Sequence, residues 1–398
     1  MCEQNKKQDG FESRRKFMQT SALAGKGLMF AGPLNLFGNQ TEKTDKMENI
    51  KSKGFAARDE SGKLSPWEFE RRSVGENDIL IEIKYCGICH SDIHQERGHW
   101  GEQQYPQVPG HEIAGIVAAV GKNVTKFKKG DKAGVGCMVD SCMECESCKN
   151  GEEQYCDRGE TRFTYGYPDE KSPTEITQGG YASNIVVKEH FAIQIPESIP
   201  LQYAAPLLCA GITTYSPLMK ADFNRGDKVG VDGIGGLGHM AIKLAVAKGA
   251  EVYAFTTTSE KIDDILSFGA KEAIVVDSLD KLHPYYGTLD YMISTIPYDF
   301  DIATYSMLLQ PYKEFVQVGV PIGGKITMNS FITHRSRAKI STSLIGGIPE
   351  TQEIMNYCVA NKIYPQIEAI NSGEINKAWD KVVNKEARYR YVIDAATF

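Results

Sequence analysis

The chain has 398 residues, of which 41% are hydrophobic and 24% are charged, and its formal net charge is −6. This balance is that of a globular protein with two or three domains, and the negative charge argues against nucleic acid as the main partner. No apolar run approaches the roughly 20 residues that span a bilayer, since the longest, residues 27–37, is interrupted by Pro33 and Asn35. Small-molecule chemistry is therefore the working hypothesis.

Residues 1–48 have the pattern of a signal and a linker. The paired arginines at 14–15, Phe17 two positions on and the weakly apolar residues 22–37 resemble a twin-arginine export signal. This resemblance implies the twin-arginine translocase as a partner and a periplasmic location. Because Lys26 interrupts the apolar stretch and no clear A-x-A cleavage site follows, a basic tail on a cytoplasmic protein is the alternative.

Residues 49–208 are Gly-rich and contain short strand-like runs separated by turns. Examples are ILIEIKY at 79–85 and IAGIVAAV at 113–120. This pattern predicts an irregular β-rich domain. The last section, residues 346–398, ends in the strand-like RYVIDA.

Residues 209–345 alternate short apolar runs with helical stretches. The six runs lie at 228–231, 251–255, 272–276, 289–295, 314–320 and 339–345. Six strands that alternate with helices predict a parallel, doubly wound sheet and an α/β fold.

The first chemical motif directly follows the first of these runs. In DGIGGLGHMAIK, Gly233, Gly235 and Gly238 form G-x-G-x-x-G, with Gly236 and Leu237 inside the loop. Such a loop brings backbone amides and the start of a helix close to a pyrophosphate. The sequence therefore predicts a dinucleotide-binding Rossmann domain.

The end of the second run bears on the choice of dinucleotide. An NAD enzyme normally places Asp or Glu there to bind the ribose hydroxyls, but this chain has the uncharged Thr256, Thr257 and Thr258, with Lys261 one turn further on. These residues favour NADP(H), because a lysine can bind the 2′-phosphate. If the threonines simply end a strand and the lysine is solvated, the choice stays open.

Cysteine and histidine are concentrated in two further patterns. Cys142, Cys145, Cys148 and Cys156 are separated by gaps of two, two and seven residues, which predicts a shared centre: disulfides, an iron–sulfur cluster or a metal. CGICHSDIH at 86–94, GHE at 110–112 and Cys209 offer two thiols and an imidazole, the ligand set of a catalytic zinc. Spacing alone does not bring these three ligands together.

Taken together, these motifs resemble the zinc-dependent medium-chain alcohol dehydrogenases, and among them the cinnamyl-alcohol-dehydrogenase-like bacterial aldehyde reductases. The resemblance runs from about residue 50 to the C-terminus and includes VGVGCMVDSC, IGGIPETQE and YRYVID. It implies a GroES-like catalytic domain of residues 49–208 and 346–398, with the Rossmann domain inserted as residues 209–345. It also implies hydride transfer between NADP(H) and an aldehyde or primary alcohol, two zinc ions per chain and a homodimer.

The resemblance assigns the catalytic zinc ligands to Cys89, His111 and Cys209. Glu112 beside them matches a supporting residue or a transient fourth ligand. Asp92 matches the carboxylate that orients the zinc-bound imidazole.

The other roles around the expected crevice follow in the same way. Ser91 matches the hydroxyl that exchanges the alcohol proton, and His94 matches the end of the proton relay to solvent. His90 stands where relatives place His or Arg near the cofactor phosphates. Trp100 is predicted to line the substrate pocket, although a packed aromatic is an equal interpretation.

The four clustered cysteines match the structural zinc lobe of this family. Their first three members also resemble a ferredoxin-type run, but the fourth comes too late and lacks the adjacent proline. Two rival functions remain at this stage: a polyol or sugar dehydrogenase of the same superfamily, and an exported iron–sulfur electron carrier.

Overall fold

The computed structural model describes residues 48–398, and the expected export signal lies outside this range. None of the helices in the described range combines the length and the apolar character that a bilayer-spanning helix needs.

The first part of the described chain is rich in short strands. They are β1 (Ile50–Ala57), β2 (Leu64–Arg71), β3 (Asp78–Gly87), β4 (Ile113–Val120), β5 (Lys132–Val135), β6 (Met138–Asp140), β7 (Arg162–Phe163), β8 (Asn184–Lys188) and β9 (Ala192–Gln194). The helices among them are α1 (His90–Glu96) and α2 (Glu146–Lys149), and two more follow β9, α3 (Leu201–Ala204) and α4 (Ala210–Lys220). β1 and β2 form a hairpin, β6 and β7 form a second small pair, and the other strands share one mostly antiparallel sheet around β3.

The second large sheet has six parallel strands. They are β10 (Lys228–Asp232), β11 (Glu251–Thr256), β12 (Glu272–Val275), β13 (Leu289–Ser294), β14 (Leu309–Gln317) and β15 (Lys339–Thr342). The helices between them are α5 (Gly238–Lys248), α6 (Ile262–Ser267), α7 (Ile302–Ser306) and α8 (Ser330–Ser336). The strand order is β12-β11-β10-β13-β14-β15, so the direction of the connections reverses between β10 and β13. Ligands of doubly wound sheets bind at the carboxyl ends of the strands beside such a reversal.

The end of the chain returns to the first sheet. It forms α9 (Ile348–Ala360), β16 (Ile367–Asn371), α10 (Ile375–Val383) and β17 (Arg390–Asp394). β17 pairs with β16 in parallel and with β3 antiparallel, so that Ile393 lies opposite Cys86. This pairing places the C-terminal strand beside the segment that leads into α1.

The predicted α/β class and the parallel sheet are confirmed, because each of the six apolar runs forms a strand. β14 begins at Leu309, ahead of the predicted 314–320, and β15 ends at Thr342. The last predicted run is therefore strand only in its first part, and its final residue, Ile345, has a φ of 42°, which is outside the range of a strand.

Candidate active site

A crevice with a volume of about 560 Å³ opens between α1 and the carboxyl ends of β10 and β13. One wall carries Ser91 and His94, and the opposite wall carries the glycine loop and Thr295. The crevice therefore lies at the reversal of strand order, where a dinucleotide is expected.

Four potential metal-binding side chains converge at the inner end of the crevice. One ligand atom from each of Cys89, His111, Glu112 and Cys209 lies within 4.8 Å of the others, and all four residues are buried. The two sulfurs are 3.9 Å apart, and Nε2 of His111 is 3.1 Å from Sγ of Cys209. Sulfurs bound to one tetrahedral zinc at about 2.3 Å stand about 3.8 Å apart. The structure thus brings together the three predicted zinc ligands, and their spacing fits the ion.

Asp92 fixes the orientation of this cluster. Its Oδ1 accepts hydrogen bonds from Nδ1 of His111 and from the hydroxyl of Tyr165, both at 2.8 Å. Its Oδ2 accepts from the hydroxyl of Tyr181 and from the backbone N–H of Cys89, both at 2.9 Å. A proton on Nδ1 of His111 leaves the lone pair of Nε2 directed at the cysteines, which is the arrangement a metal requires.

Glu112 faces a buried arginine that sequence analysis did not identify. Nη2 of Arg390 is 3.5 Å from Oε1 of Glu112, and Nη1 donates to the carbonyl of Ile88 at 2.7 Å. Burial raises the pKa of Glu112 to about 8, although the arginine opposes this shift. Arg390 also lies directly against the glycine loop, because a Cβ on Gly236 would be 2.7 Å from its Cζ. The sequence feature that could have identified Arg390 is the arginine at the start of the strand-like RYVIDA.

The helix α1 and the turn after it bring His90, Ser91, His94 and Trp100 close together. Ser91 Oγ is 3.6 Å from Sγ of Cys89. The rings of His90 and His94 stack with centroids 4.7 Å apart, and the ring of Trp100 lies 5.2 Å from that of His94. All of these residues line the crevice.

The predicted role of His94 at the solvent end of the relay stays a prediction. His94 is only 4% exposed, and its Nδ1 lies 2.8 Å from Nδ1 of His99. Burial, with further contributions from His90 and His99, lowers the pKa of His94 to about 4. The residue is buried because the rings of His90, His99 and Trp100 pack against its own ring.

The glycine loop has the backbone that a pyrophosphate requires. Gly233 has φ 75°, and a Cβ on Gly238 would lie 2.6 Å from the carbonyl oxygen of Gly233. Gly233, Gly235, Gly236 and Leu237 line the crevice, whereas Gly238 begins α5 behind them.

The end of β11 supplies no acidic side chain to the crevice. Thr256, Thr257 and Lys261 line it, but Thr258 does not. Nζ of Lys261 donates to the carbonyl of Ile234 at 2.7 Å. Burial, and to a smaller extent the nearby charges of Arg388 and Lys385, lower the pKa of Lys261 to about 8. Asp264 and Glu260 lie near Lys261 but do not line the crevice. The lysine at the crevice therefore fits a 2′-phosphate.

The second cysteine cluster forms a separate lobe. Within it, Sγ of Cys142 is 3.7 Å from Sγ of Cys148, and Sγ of Cys145 is 3.9 Å from Sγ of Cys156. All four sulfurs lie within 4.8 Å of one another, and no disulfide links cysteines in the described range. Four thiols at these distances fit a closed tetrahedral zinc site.

Comparison with known proteins agrees with this geometry. Residues 75–197 match the alcohol dehydrogenase GroES-like domain, and residues 236–360 match the zinc-binding dehydrogenase family. The chain is 43% identical to the NADP-dependent alcohol dehydrogenase C 1 of Mycolicibacterium smegmatis, covering 86% of this chain and 97% of the relative. It is also 43% identical to the aldehyde reductase YahK of Escherichia coli, covering 87% and 99%. The cinnamyl alcohol dehydrogenase of Helicobacter pylori in complex with NADP(H) superimposes with a TM-score of 0.83 at 44% identity, covering 88% of this chain and 99% of that chain.

Proposed function

Because the chain belongs to the zinc-dependent medium-chain alcohol dehydrogenase family, we propose that it is an NADPH-dependent aldehyde reductase with broad substrate range. The observation that carries this proposal is the buried set of Cys89, His111 and Cys209 at the end of a crevice whose other wall is a Rossmann glycine loop. The family membership decides against an iron–sulfur electron carrier. The relatives described above are named for alcohols and aldehydes, which favours these substrates over polyols and sugars.

The inner end of the crevice prepares the substrate oxygen. Cys89, His111 and Cys209 would hold the catalytic zinc, which polarises an aldehyde oxygen when bound. Asp92 keeps His111 in the orientation and tautomer that a metal ligand needs. Glu112 is close enough to serve as a transient fourth ligand, and Arg390 partly compensates its buried charge.

The opposite wall positions the hydride donor. The backbone of Gly233–Gly238 and the start of α5 would bind the pyrophosphate of NADPH, and His90 and Arg390 offer nearby donors for the phosphates. Thr256 and Thr257 leave room for the 2′-phosphate, and Lys261 supplies its charge partner.

The residues that would exchange the proton and contact the substrate lie on α1 and on the turn after it. Ser91 lies beside Cys89 and would exchange the proton of the alcohol, with His94 behind it. Trp100 would form part of the wall that contacts the organic part of the aldehyde, because its ring lies at the crevice and remains 37% exposed.

The test is the oxidation of NADPH or NADH by purified protein with a panel of aromatic and aliphatic aldehydes. We expect zinc-dependent turnover with a strong preference for NADPH. Replacing Thr256 with Asp should shift this preference towards NADH, because the carboxylate repels a 2′-phosphate and binds ribose hydroxyls. Ser267→Asp, which adds the same charge to the exposed side of α6, is the matched control. Wild-type protein that uses NADH as well as NADPH would contradict the assignment of the 2′-phosphate site.

The surface near β15 supports a homodimer. Phe331 is 83% exposed, Ile322 is 57% exposed and Met328 is 50% exposed. In the described range, β15 is paired only with β14, so its outer edge is free to pair with another strand. A second copy that pairs edge to edge would cover both features and form a closed two-fold contact. Light scattering after size-exclusion chromatography should give a dimer for the wild type and a shift to monomer for Phe331→Glu.

Export through the twin-arginine translocase to the periplasm completes the proposal. The signal pattern lies in residues 1–48, and that route carries folded proteins, so the enzyme would travel with zinc and NADP already bound. Fractionation of the native host is the test, with Arg14 and Arg15 both changed to Lys as the comparison. Wild-type protein found wholly in the cytoplasm would contradict export.

A further inference from the structure

A buried carboxyl lies against the wall of the crevice beside the glycine loop. Asp232 ends β10 directly before Gly233, and both residues line the crevice. The carboxyl itself does not reach solvent, because Asp232 is 1% exposed, and neither of its oxygens has a hydrogen-bond partner among residues 48–398. A carboxyl in such a place is stabilised neither by water nor by a donor, so its charged form is unfavourable.

The neighbours of this carboxyl are uncharged. β10 lies between β11 and β13, and the residues in register with Asp232 on these strands are Phe255 and Ser294. From α7, the titratable group that faces the carboxyl is the phenol of Tyr305, whose pKa is raised above its ordinary value by burial. Among the described residues no cation lowers the pKa of Asp232, and burial, the largest cause, raises it to about 7.

NADP(H) would bring negative charge to this side of the crevice. The glycine loop that would bind its pyrophosphate begins at the residue after Asp232. A nearby negative charge raises the pKa of a carboxyl, and so does the loss of the crevice water that a bound ligand displaces. Both effects favour the neutral form of Asp232 when the cofactor is bound.

We propose that Asp232 takes up one proton from solvent when NADP(H) binds, so that the affinity of this protein for its cofactor falls as pH rises. The inference rests on the proposed function, because it concerns the binding of NADP(H). The proton comes from the buffer and converts the carboxylate of the free protein into the neutral carboxyl of the complex. It returns to the buffer when the cofactor leaves.

The affinity should depend on pH mainly on the alkaline side. Below the pKa of about 7 the carboxyl of the free protein already carries its proton, so binding needs no uptake. Above this pH the free protein has to gain the proton, and each further pH unit weakens binding by up to about tenfold until the pKa of the complex is reached. Asparagine has the shape of the protonated carboxyl and does not titrate, so Asp232→Asn should bind tightly at both pH values.

The test is titration calorimetry of the zinc-loaded protein with NADP⁺ at pH 8, in two buffers that differ in their enthalpy of ionisation. The difference between the two buffers gives the number of protons taken up on binding. At pH 8 the 2′-phosphate of the cofactor is already ionised, and every other titrating group is common to the wild type and the variants. The wild type should take up between about half a proton and one proton more than Asp232→Asn, and between pH 7 and 8.5 its Kd should weaken about tenfold relative to that of the variant.

Two further variants separate the charge from the shape of the side chain. Asp232→Leu replaces the carboxyl by an apolar group of similar size, and it should lose the proton uptake as Asp232→Asn does. Asp280→Asn changes an exposed carboxyl away from the crevice, and it should behave as the wild type. A readout that needs no variant is the infrared difference spectrum of the wild type at pH 8, in which the band of a protonated carboxyl should appear when NADP⁺ binds.

Proton uptake in Asp232→Asn and Asp232→Leu equal to that of the wild type would overturn the proposal. The same conclusion would follow if the Kd of all three proteins weakened equally between pH 7 and 8.5, or if the infrared band did not appear. A failure of the proposed function looks different, because the wild type would then not bind NADP⁺ at either pH.

Discussion

Asp92 connects two of the three predicted zinc ligands through its carboxylate. It receives hydrogen bonds from His111, Tyr165, Tyr181 and the backbone of Cys89, so two of the three ligands are held by one buried carboxylate. Preorganised ligands lose little freedom when a metal binds, and such supporting contacts strongly affect metal affinity.

The two cysteine clusters are separate sites, one catalytic and one structural, and this leads to a direct prediction. Cys89→Ser should abolish aldehyde reduction and lower the zinc content from two ions to one per chain, because the second cluster shares no ligand with the first. Elemental analysis together with an activity assay measures both effects. Cys358→Ala, which changes a buried thiol outside both clusters, should keep both ions. Loss of both ions in Cys89→Ser would show that the clusters do not bind zinc independently.

The buried carboxyl of Asp232 leads to a prediction about how the stability of the protein depends on pH. It lies at the end of β10 with 1% exposure, and neither carboxyl oxygen has a hydrogen-bond partner in the described part of the chain. Burial raises its pKa to about 7. The folded protein therefore binds this proton more tightly than the unfolded chain does. As pH rises from about 4 to 7, the free energy of unfolding consequently falls.

Asp232→Asn should accordingly raise the free energy of unfolding of the cofactor-free protein by about 1–3 kcal/mol at pH 8, and by less at pH 5.5. Denaturant unfolding at the two pH values measures this difference. Asp280→Asn, at an exposed carboxyl, should show no such dependence. An equal effect of Asp232→Asn at both pH values would mean that the carboxyl does not titrate in this range.

The residues found from sequence and those that were missed differ in a physical way. The glycines and the four clustered cysteines belong to motifs whose chemistry is contained in residue type and local spacing. The catalytic zinc ligands Cys89, His111 and Cys209 were assigned through the resemblance, because spacing alone does not bring them together. Arg390 and Tyr165 reach the site through tertiary packing, for example the pairing of β17 with β3. Local patterns carry no information about such pairings.

At the scale of elements, the four-cysteine lobe is held by more than its metal site. Glu153 is fully buried, accepts a hydrogen bond from the backbone N–H of Ile348 at 3.0 Å and lies 2.7 Å from Nε2 of His190. The backbone of Gly347 touches that of Gly151, because a Cβ on Gly347 would lie 1.6 Å from the carbonyl oxygen of Gly151. The lobe thus docks onto the start of α9.

Gly347→Ala should therefore destabilise the protein by about 1–3 kcal/mol through overpacking and loosen the lobe. Gly373→Ala is the matched control, since a Cβ there meets nothing within 4 Å, and it should stay within about 0.5 kcal/mol of the wild type. Thermal unfolding compares the three proteins. A melting temperature of Gly347→Ala equal to that of the control would contradict the docking.

The elements themselves were largely predictable from sequence. The inner strands β10, β11 and β13 are largely buried and appear as apolar runs. The edge strands β12 and β15 are only partly buried, but each still lies within one of the six predicted runs. The additional residues of β14, Leu309–Lys313, include Pro311 and exposed polar side chains, so local pattern did not mark them as strand. Whether two sheets form one crevice depends on contacts far apart in sequence, and that part came from the resemblance.

At the scale of the whole molecule, function depends on two sheets that meet at one crevice. The first sheet supplies the metal-binding cysteine at the start of α1, and the second supplies the glycine loop and the end of β11. Neither side could transfer a hydride alone, because one prepares the carbonyl and the other holds the donor. The chain-terminal strand β17 joins them, since Arg390 contacts both Glu112 and the glycine loop.

The most direct test of the central claim is the transfer of deuterium to an aldehyde from NADPH that carries deuterium at both C4 positions of the nicotinamide, followed by mass spectrometry of the alcohol. The account predicts one deuterium per alcohol formed, in proportion to NADP⁺, with transfer lost when the protein is stripped of zinc and recovered when zinc is restored. Alcohol without deuterium, or transfer that is unaffected by removal of zinc, would contradict it.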